Sequence, residues 1–154
     1  MVFSGALSSI YHAKSCPKVK AMSDAADYQG FLEEAVIGTL FLQESDLPDV
    51  FENLYKLEYF VINVPEASRS TRYKIQETII EASGYADSGA MNDNVFYELI
   101  SDLRWLNSKK IAIILHLNGR DLKEDLFWML NCISEGSGRL RMEQERDLVM
   151  ILSF

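Results

Sequence analysis

Residues 111–117, IAIILHL, carry almost no polar side chain, and a strand of that kind has no face to offer to water. It needs cover on both sides, which a parallel sheet sandwiched by helices supplies and a half-solvated antiparallel sheet does not. No apolar run in the chain approaches the roughly 20 residues of a membrane span, so a soluble protein is expected. With 154 residues and 48% apolar side chains the chain can bury a sizeable core, which excludes wholesale disorder and a disulfide-dependent miniprotein.

The segments around this strand fit the same plan. Ala35–Leu42 is a short apolar run fenced by Glu33-Glu34 and Gln43-Glu44, and it predicts a buried strand. Ser45 or Asp46 offers a capping oxygen, Pro48 suits a first helical turn, and Val50, Leu54 and Leu57 recur at helical spacing. Tyr59–Val64 reads as a strand that stops at Pro65, which has no amide to give to a ladder. Thr71 caps a helix whose Ile75, Ile79, Ile80 and Ala82 make one stripe, and Gly84 closes it. Residues 85–92 read as a loop, after which Asp93 or Asn94 opens a helix reaching to about Leu106.

Beyond Asn118-Gly119, Asp121 is expected to cap a helix with Leu122, Leu126, Met129, Leu130 and Ile133 on one side. The EGSG of 135–138 is expected to end it, RLRMEQER to form a charged turn, and DLVMILSF to form the last strand. The order β-α-β-α-α-β-α-β contains no tight hairpin signal. The expected class is therefore α/β, a small and mostly parallel sheet of three to four strands, joined by right-handed crossovers and flanked by helices.

Charge divides the chain unevenly. Residues 1–22 carry Lys14, Lys18 and Lys20 with no acid and read as a flexible basic arm or a processed leader, with Met22 as an internal start. Residues 23–56 hold eight acids against Lys56 and read as an acidic N-terminal extension; residues 57–154 form the α/β domain proper. The net charge of −8 argues against a direct nucleic-acid ligand and in favour of a basic partner. Cys16 and Cys132 make neither a disulfide framework nor a redox or zinc motif, so a reducing cytoplasm is the expected compartment.

Enzyme signatures fall away one by one. Gly84 and Gly89 have phosphate-loop spacing, but Ala90 and Met91 stand where Lys and Ser or Thr are needed. Ser137 follows a helix, not a strand, and lacks a nucleophile elbow. Asp87, Asn92 and Asp93 miss the glycine and final glutamate of a calcium loop. Cys132 reads as a small core residue. His116 stands near the carboxyl end of a strand, where ligands gather in parallel sheets, so a small α/β enzyme with a site at His116, Asn118 and Asp121 is the alternative. An acidic docking subunit of a larger assembly, using residues 23–56, is another.

The helix from 93 to 106 carries the most informative surface. At 100° per residue Val95, Phe96, Leu99, Ile100, Leu103 and Leu106 share one side, and Asn94, Tyr97, Glu98, Ser101, Asp102 and Trp105 share the other. An outward Trp and Tyr beside two carboxylates is costly unless a partner supplies cover and countercharge. The competing expectation is that Trp105 packs against the N-terminal extension and the acids form a solvated face.

At these residues the chain resembles the barstar-like inhibitors of bacterial ribonucleases. The resemblance covers residues 57–154: the strand YFVINV, a helix ending near Gly84, a loop with Tyr85 and Gly89, the acidic helix MNDNVFYELISDL, the strand IAIILHL running into Asn118-Gly119-Arg120-Asp121, a further helix, and the closing strand LVMILS. It implies an immunity protein whose second helix and preceding loop plug the cleft of a basic toxin, a nuclease, with carboxylates standing in for substrate phosphates. No catalysis and no cofactor are expected. The residues expected at the partner are Tyr85, Asp87, Asp93, Asn94, Tyr97, Glu98, Ser101, Asp102 and Trp105. The chain departs from the family pattern in two ways: Phe96 and Ile100 occupy the positions of its aspartates, and Tyr85 lies nine residues before Asn94.

Overall fold

The computed structural model describes residues 39–86, 89–118 and 124–154. They form β1 (Thr39–Leu42), a 3-10 turn at Glu44–Asp46, α1 (Leu47–Lys56), β2 (Phe60–Val64), α2 (Arg72–Ala82), α3 (Asp93–Asp102), β3 (Lys110–His116), α4 (Glu124–Gln144) and β4 (Asp147–Ser153). Residues 35–38 of the expected first strand, and the expected helix start at Asp121 and Leu122, lie outside the described residues.

All four strands are parallel, in the order β1-β4-β3-β2. The most apolar segments occupy the centre: β3 and β4 are buried along nearly their whole length, as a strand covered on both faces must be. Alternation splits them between two cores. Ile111, Ile113, Leu115, Leu148, Met150 and Leu152 face α2, α3 and α4, whereas Ala112, Ile114, Val149 and Ile151 face α1.

Connection handedness explains that division. The chain steps from β2 to β3 to β4 in one direction, with its helices on one face. From β1 to β2 it crosses the whole sheet in the opposite direction, so a right-handed connection must lay α1 on the other face. Leu47, Val50 and Leu54 then close the second core. Among the described residues, 39–56 thus supply an edge strand and the helix that covers one face of the sheet.

Local signals set the helix ends. Thr71 caps α2 by accepting from the Lys74 amide at 3.2 Å, and Gly84, at φ +92°, takes the left-handed turn that ends it. Ile75, Ile79 and Ile80 are fully buried as expected; Ala82 is exposed, and Ser83 is buried in its place.

Two boundaries differ from the sequence expectation. α4 does not stop at 135–138 but continues to Gln144, so RLRMEQER is helix for most of its length. Gly136 is a contact point, not a terminator. A Cβ there would lie 3.1 Å from Ile100 Cγ2 and 3.3 Å from both the Ile100 carbonyl and Ser101 Oγ, so glycine permits the close crossing of α3 and α4. Ser137 donates to the Leu148 carbonyl at 2.8 Å, which absorbs a hydroxyl that would otherwise be buried unpaired.

The two glycines should therefore respond oppositely. Gly138 is exposed in the same helix with nothing near its absent Cβ, so Gly138→Ala should stabilise by up to about 1 kcal/mol. Gly136→Val should destabilise by about 1–3 kcal/mol through overpacking against Ile100. Urea unfolding of the pair checks both signs.

The second difference concerns α3, which ends at Asp102 and not near Leu106. Leu103 turns into the left-handed region at φ +45° while fully buried, and Leu106 folds back beneath it. A non-glycine residue there costs roughly 1–2 kcal/mol, so the surrounding contacts must hold it.

Candidate partner-binding face

α2 and α3 run in the same direction. Arg72 reaches Asp93 at 3.2 Å at their starts, and the Trp105 indole reaches Ser83 at 3.0 Å at their far ends. The loop of residues 83–92 must therefore travel back the length of a helix, roughly 15 Å for ten residues. This explains why Tyr85 stands far from Asn94 along the chain: it sits at the far end of α3, with its ring 4.6 Å from that of Trp105.

Asn92 accepts from the Val95 amide at 3.0 Å and caps α3, which begins at Asp93 as the sequence suggests. Asn94 and Glu98 are exposed on its outer side. Tyr97 and Asp102 are half-buried along its flanks. Asp87 lies outside the described residues.

Ser101 is a correction. Its side chain is buried, beside Gly136 of α4, because the tight helix crossing closes over that position. Trp105 is a second correction, because α3 has ended before it and helical phase no longer sets its direction. It is half-buried, stacked at an angle on Tyr85, and donates its indole N–H to Ser83 Oγ. What covers it among the described residues is therefore the start of the return loop. Phe96 and Ile100, at the positions of the family's aspartates, are wholly buried, so the outer side of α3 presents other residues than the resemblance implies.

The carboxylates are not equivalent. Asp93 is held by Arg72 and accepts from Gln76 Nε2 at 2.9 Å, and Asp102 pairs with Arg104 at 2.8 Å while Gln144 donates to it. For Glu98, no ion pair is found among the described residues. Arg139 of α4 hydrogen-bonds Glu143 at 3.3 Å, and Glu143 together with the nearby Tyr97 side chain raises its pKa, which places a cation at the edge of the face. Sequence reasoning missed Ser83 and Arg139. The Arg139–Glu143 spacing of four, continuing the stripe past Ile133 to Leu140, was the signal that α4 goes on.

A buried guanidinium positions this end of the molecule. Arg146 donates to the carbonyls of Leu103 (2.7 Å), Leu106 and Ser108 (2.9 Å), and Gln144 caps the Asp102 carbonyl at 2.9 Å. Together they satisfy the open end of α3 and fix the reversal that carries Trp105. Burial lowers the pKa of Arg146, and the charge of Asp102 counters that shift.

The remaining reactive groups are quieter. Burial, with Asp93 and Glu135 adding to it, pushes the Cys132 thiol up to about 11, so it stays protonated. His116 lies at the strand ends, its Nε2 2.7 Å from Asn63 Oδ1 and its Nδ1 3.7 Å from Glu44. Asp121 lies outside the described residues. Among them no helix is long and apolar enough to cross a membrane. Compared with protein-family models, with curated proteins and with solved structures, the chain matches none.

Proposed function

We propose that this chain is an immunity-type binding protein that seats α3 and its return loop in the active-site cleft of a basic toxin, a ribonuclease, and blocks it without chemistry of its own. The observation that carries this reading is the Tyr85–Trp105 pair, two large rings left partly exposed at one end of a helix whose outer side offers Asn94 and Glu98 to solvent. Aromatic anchors contribute most to affinity when a partner seals them from water. The net charge of −8 speeds and orients encounter with a basic surface. Tyr85, Asn94, Tyr97, Glu98 and Trp105 touch the partner, while Asp93 and Asp102, paired within the chain, add to the local potential.

The test is inhibition of a basic ribonuclease from the producing cell by the full-length chain. Trp105→Ala and Tyr97→Ala are each expected to weaken binding by about 2 kcal/mol, roughly thirtyfold. Glu98→Lys should slow association, more so at low salt, without moving the unfolding midpoint. Stoichiometric inhibition lost in these variants supports the reading. A chain that inhibits no basic nuclease sinks it, and lost stability with unchanged affinity returns Trp105 to a packing role.

A further inference from the structure

The Asp102 carboxylate is held from behind by groups anchored in the interior and met from the front by a single exposed side chain. Arg146, fixed on the carbonyls of Leu103, Leu106 and Ser108, donates to Gln144 Oε1 at 3.2 Å. Gln144 Nε2 in turn donates to the Asp102 carbonyl at 2.9 Å and reaches its Oδ1 at 3.4 Å. In front, Arg104 sets its Nε 2.8 Å from the same Oδ1. The Arg104 side chain is 79% exposed and that of Asp102 is 44% exposed. A surface pair of this kind holds weakly, because side-chain freedom and water both oppose it.

The pair also leaves the carboxylate incomplete. Both contacts fall on Oδ1, and for Oδ2 no partner is found among the described residues. A guanidinium that forks onto both oxygens at once is the stronger ligand for such a group, and a lysine ammonium cannot match that fork. The surroundings favour the same planar cation. Residues 102–105 form one reversal of the chain, which carries the carboxylate at its start and Trp105 at its end, with the Trp105 ring 4.6 Å from that of Tyr85. Partly exposed aromatic faces attract guanidinium groups.

We propose that Arg104 stands in for an arginine of the partner: it keeps Asp102 paired while the chain is free, and a guanidinium of the toxin displaces it when the complex forms. This inference rests on the reading of α3 and its return loop as the partner-binding face. It deepens that reading by making Asp102 a direct contact, reached through the exchange of one guanidinium for another. The preformed carboxylate needs no reordering, since Gln144 and Arg146 hold it in both states. The exchange also selects the partner. A weak internal pair yields to a cation that brings more hydrogen bonds into a sealed interface, and it competes against cations that bring fewer.

The test is the inhibition constant of the full-length chain against a basic ribonuclease from the producing cell, at about 0.15 M salt. Truncating a charged residue in an interface ordinarily weakens it. Arg104→Ala is instead expected to tighten inhibition about threefold to fivefold, the worth of a surface pair that no longer has to be broken. Arg69→Ala is the control for net charge: it removes the same charge from an 81% exposed side chain in the loop before α2, at the opposite end of the helices, and should change the constant by less than about 1.5-fold. Asp102→Asn should weaken inhibition about tenfold, and Arg104→Ala added to it should bring no gain. A gain in Arg104→Ala that the Asp102→Asn background abolishes supports the exchange. Intact inhibition with Arg104→Ala no better than Arg69→Ala, or a gain that survives Asp102→Asn, overturns the exchange and leaves the proposed function standing. A chain that inhibits no basic nuclease overturns both.

Discussion

A chain cut to begin at Leu57 is expected to lose cooperative folding altogether. The cut removes β1 and α1, and with them Leu40, Leu42, Leu47, Val50 and Leu54, which close the second core. Ala112, Ile114, Val149 and Ile151 would then face water on the two central strands. Exposing the three larger side chains alone costs on the order of 6 kcal/mol, comparable with the total stability of a domain this size. It would also leave β4 as a bare apolar edge, ready to pair with other chains. Thermal melting followed by circular dichroism, with dye binding for exposed apolar surface, checks this. A sharp transition in the truncated chain would show residues 57–154 to be self-sufficient. Leu54→Ala gives a graded version, with an expected loss of about 2–5 kcal/mol.

The second large effect is expected at Arg146. Arg146→Ala leaves the carbonyls of Leu103, Leu106 and Ser108 without their donor, in a region the protein has closed to water. The expected loss is on the order of 3 kcal/mol, because buried acceptors left unpaired lose their hydration as well as their bond. Arg146→Lys should rescue little, since an ammonium cannot match the fork of a guanidinium reaching three separate carbonyls. Leu103 would lose the contacts that hold its left-handed turn, so Trp105 would shift as well. Urea unfolding measures the stability, and indole emission in a Trp128→Phe background reports Trp105 itself. The exposed Arg139–Glu143 pair is the contrast: Arg139→Ala should change stability by no more than about 0.5 kcal/mol.

These effects place the largest energetic weight away from the outer side of α3, and that arrangement suits a binding surface. Asn94 and Glu98 project from a helix whose inner side is held by Phe96 and Ile100 and whose far end is clamped by Arg146 and Gln144. The outer residues can change without loss of the fold, so affinity there can be tuned independently of stability.

The sequence alone determined what depends on near neighbours and on hydrophobic period. The strand at 111–117, the Pro65 stop, the Thr71 cap and the apolar stripe of α2 follow from a few adjacent residues each, and the unbroken apolarity of β3 and β4 already required a parallel sheet covered on both faces. The inward side of α3 was legible for the same reason, since Phe96 and Ile100 share a helical phase. Tertiary structure alone decided what depends on residues far apart. Glycines 136 and 138 resemble a helix stop until Ile100 is seen to occupy the space a Cβ would need. Trp105 lies on the outer side of an ideal helix until Leu103 reverses the chain, and that reversal rests on Arg146, forty-three positions further on. Glu44, just after β1, and His116, ending β3, approach each other only because the sheet sets those two strands on either side of β4. Periodicity fixes which side of an element is apolar; only packing fixes where the element ends and what its polar residues touch.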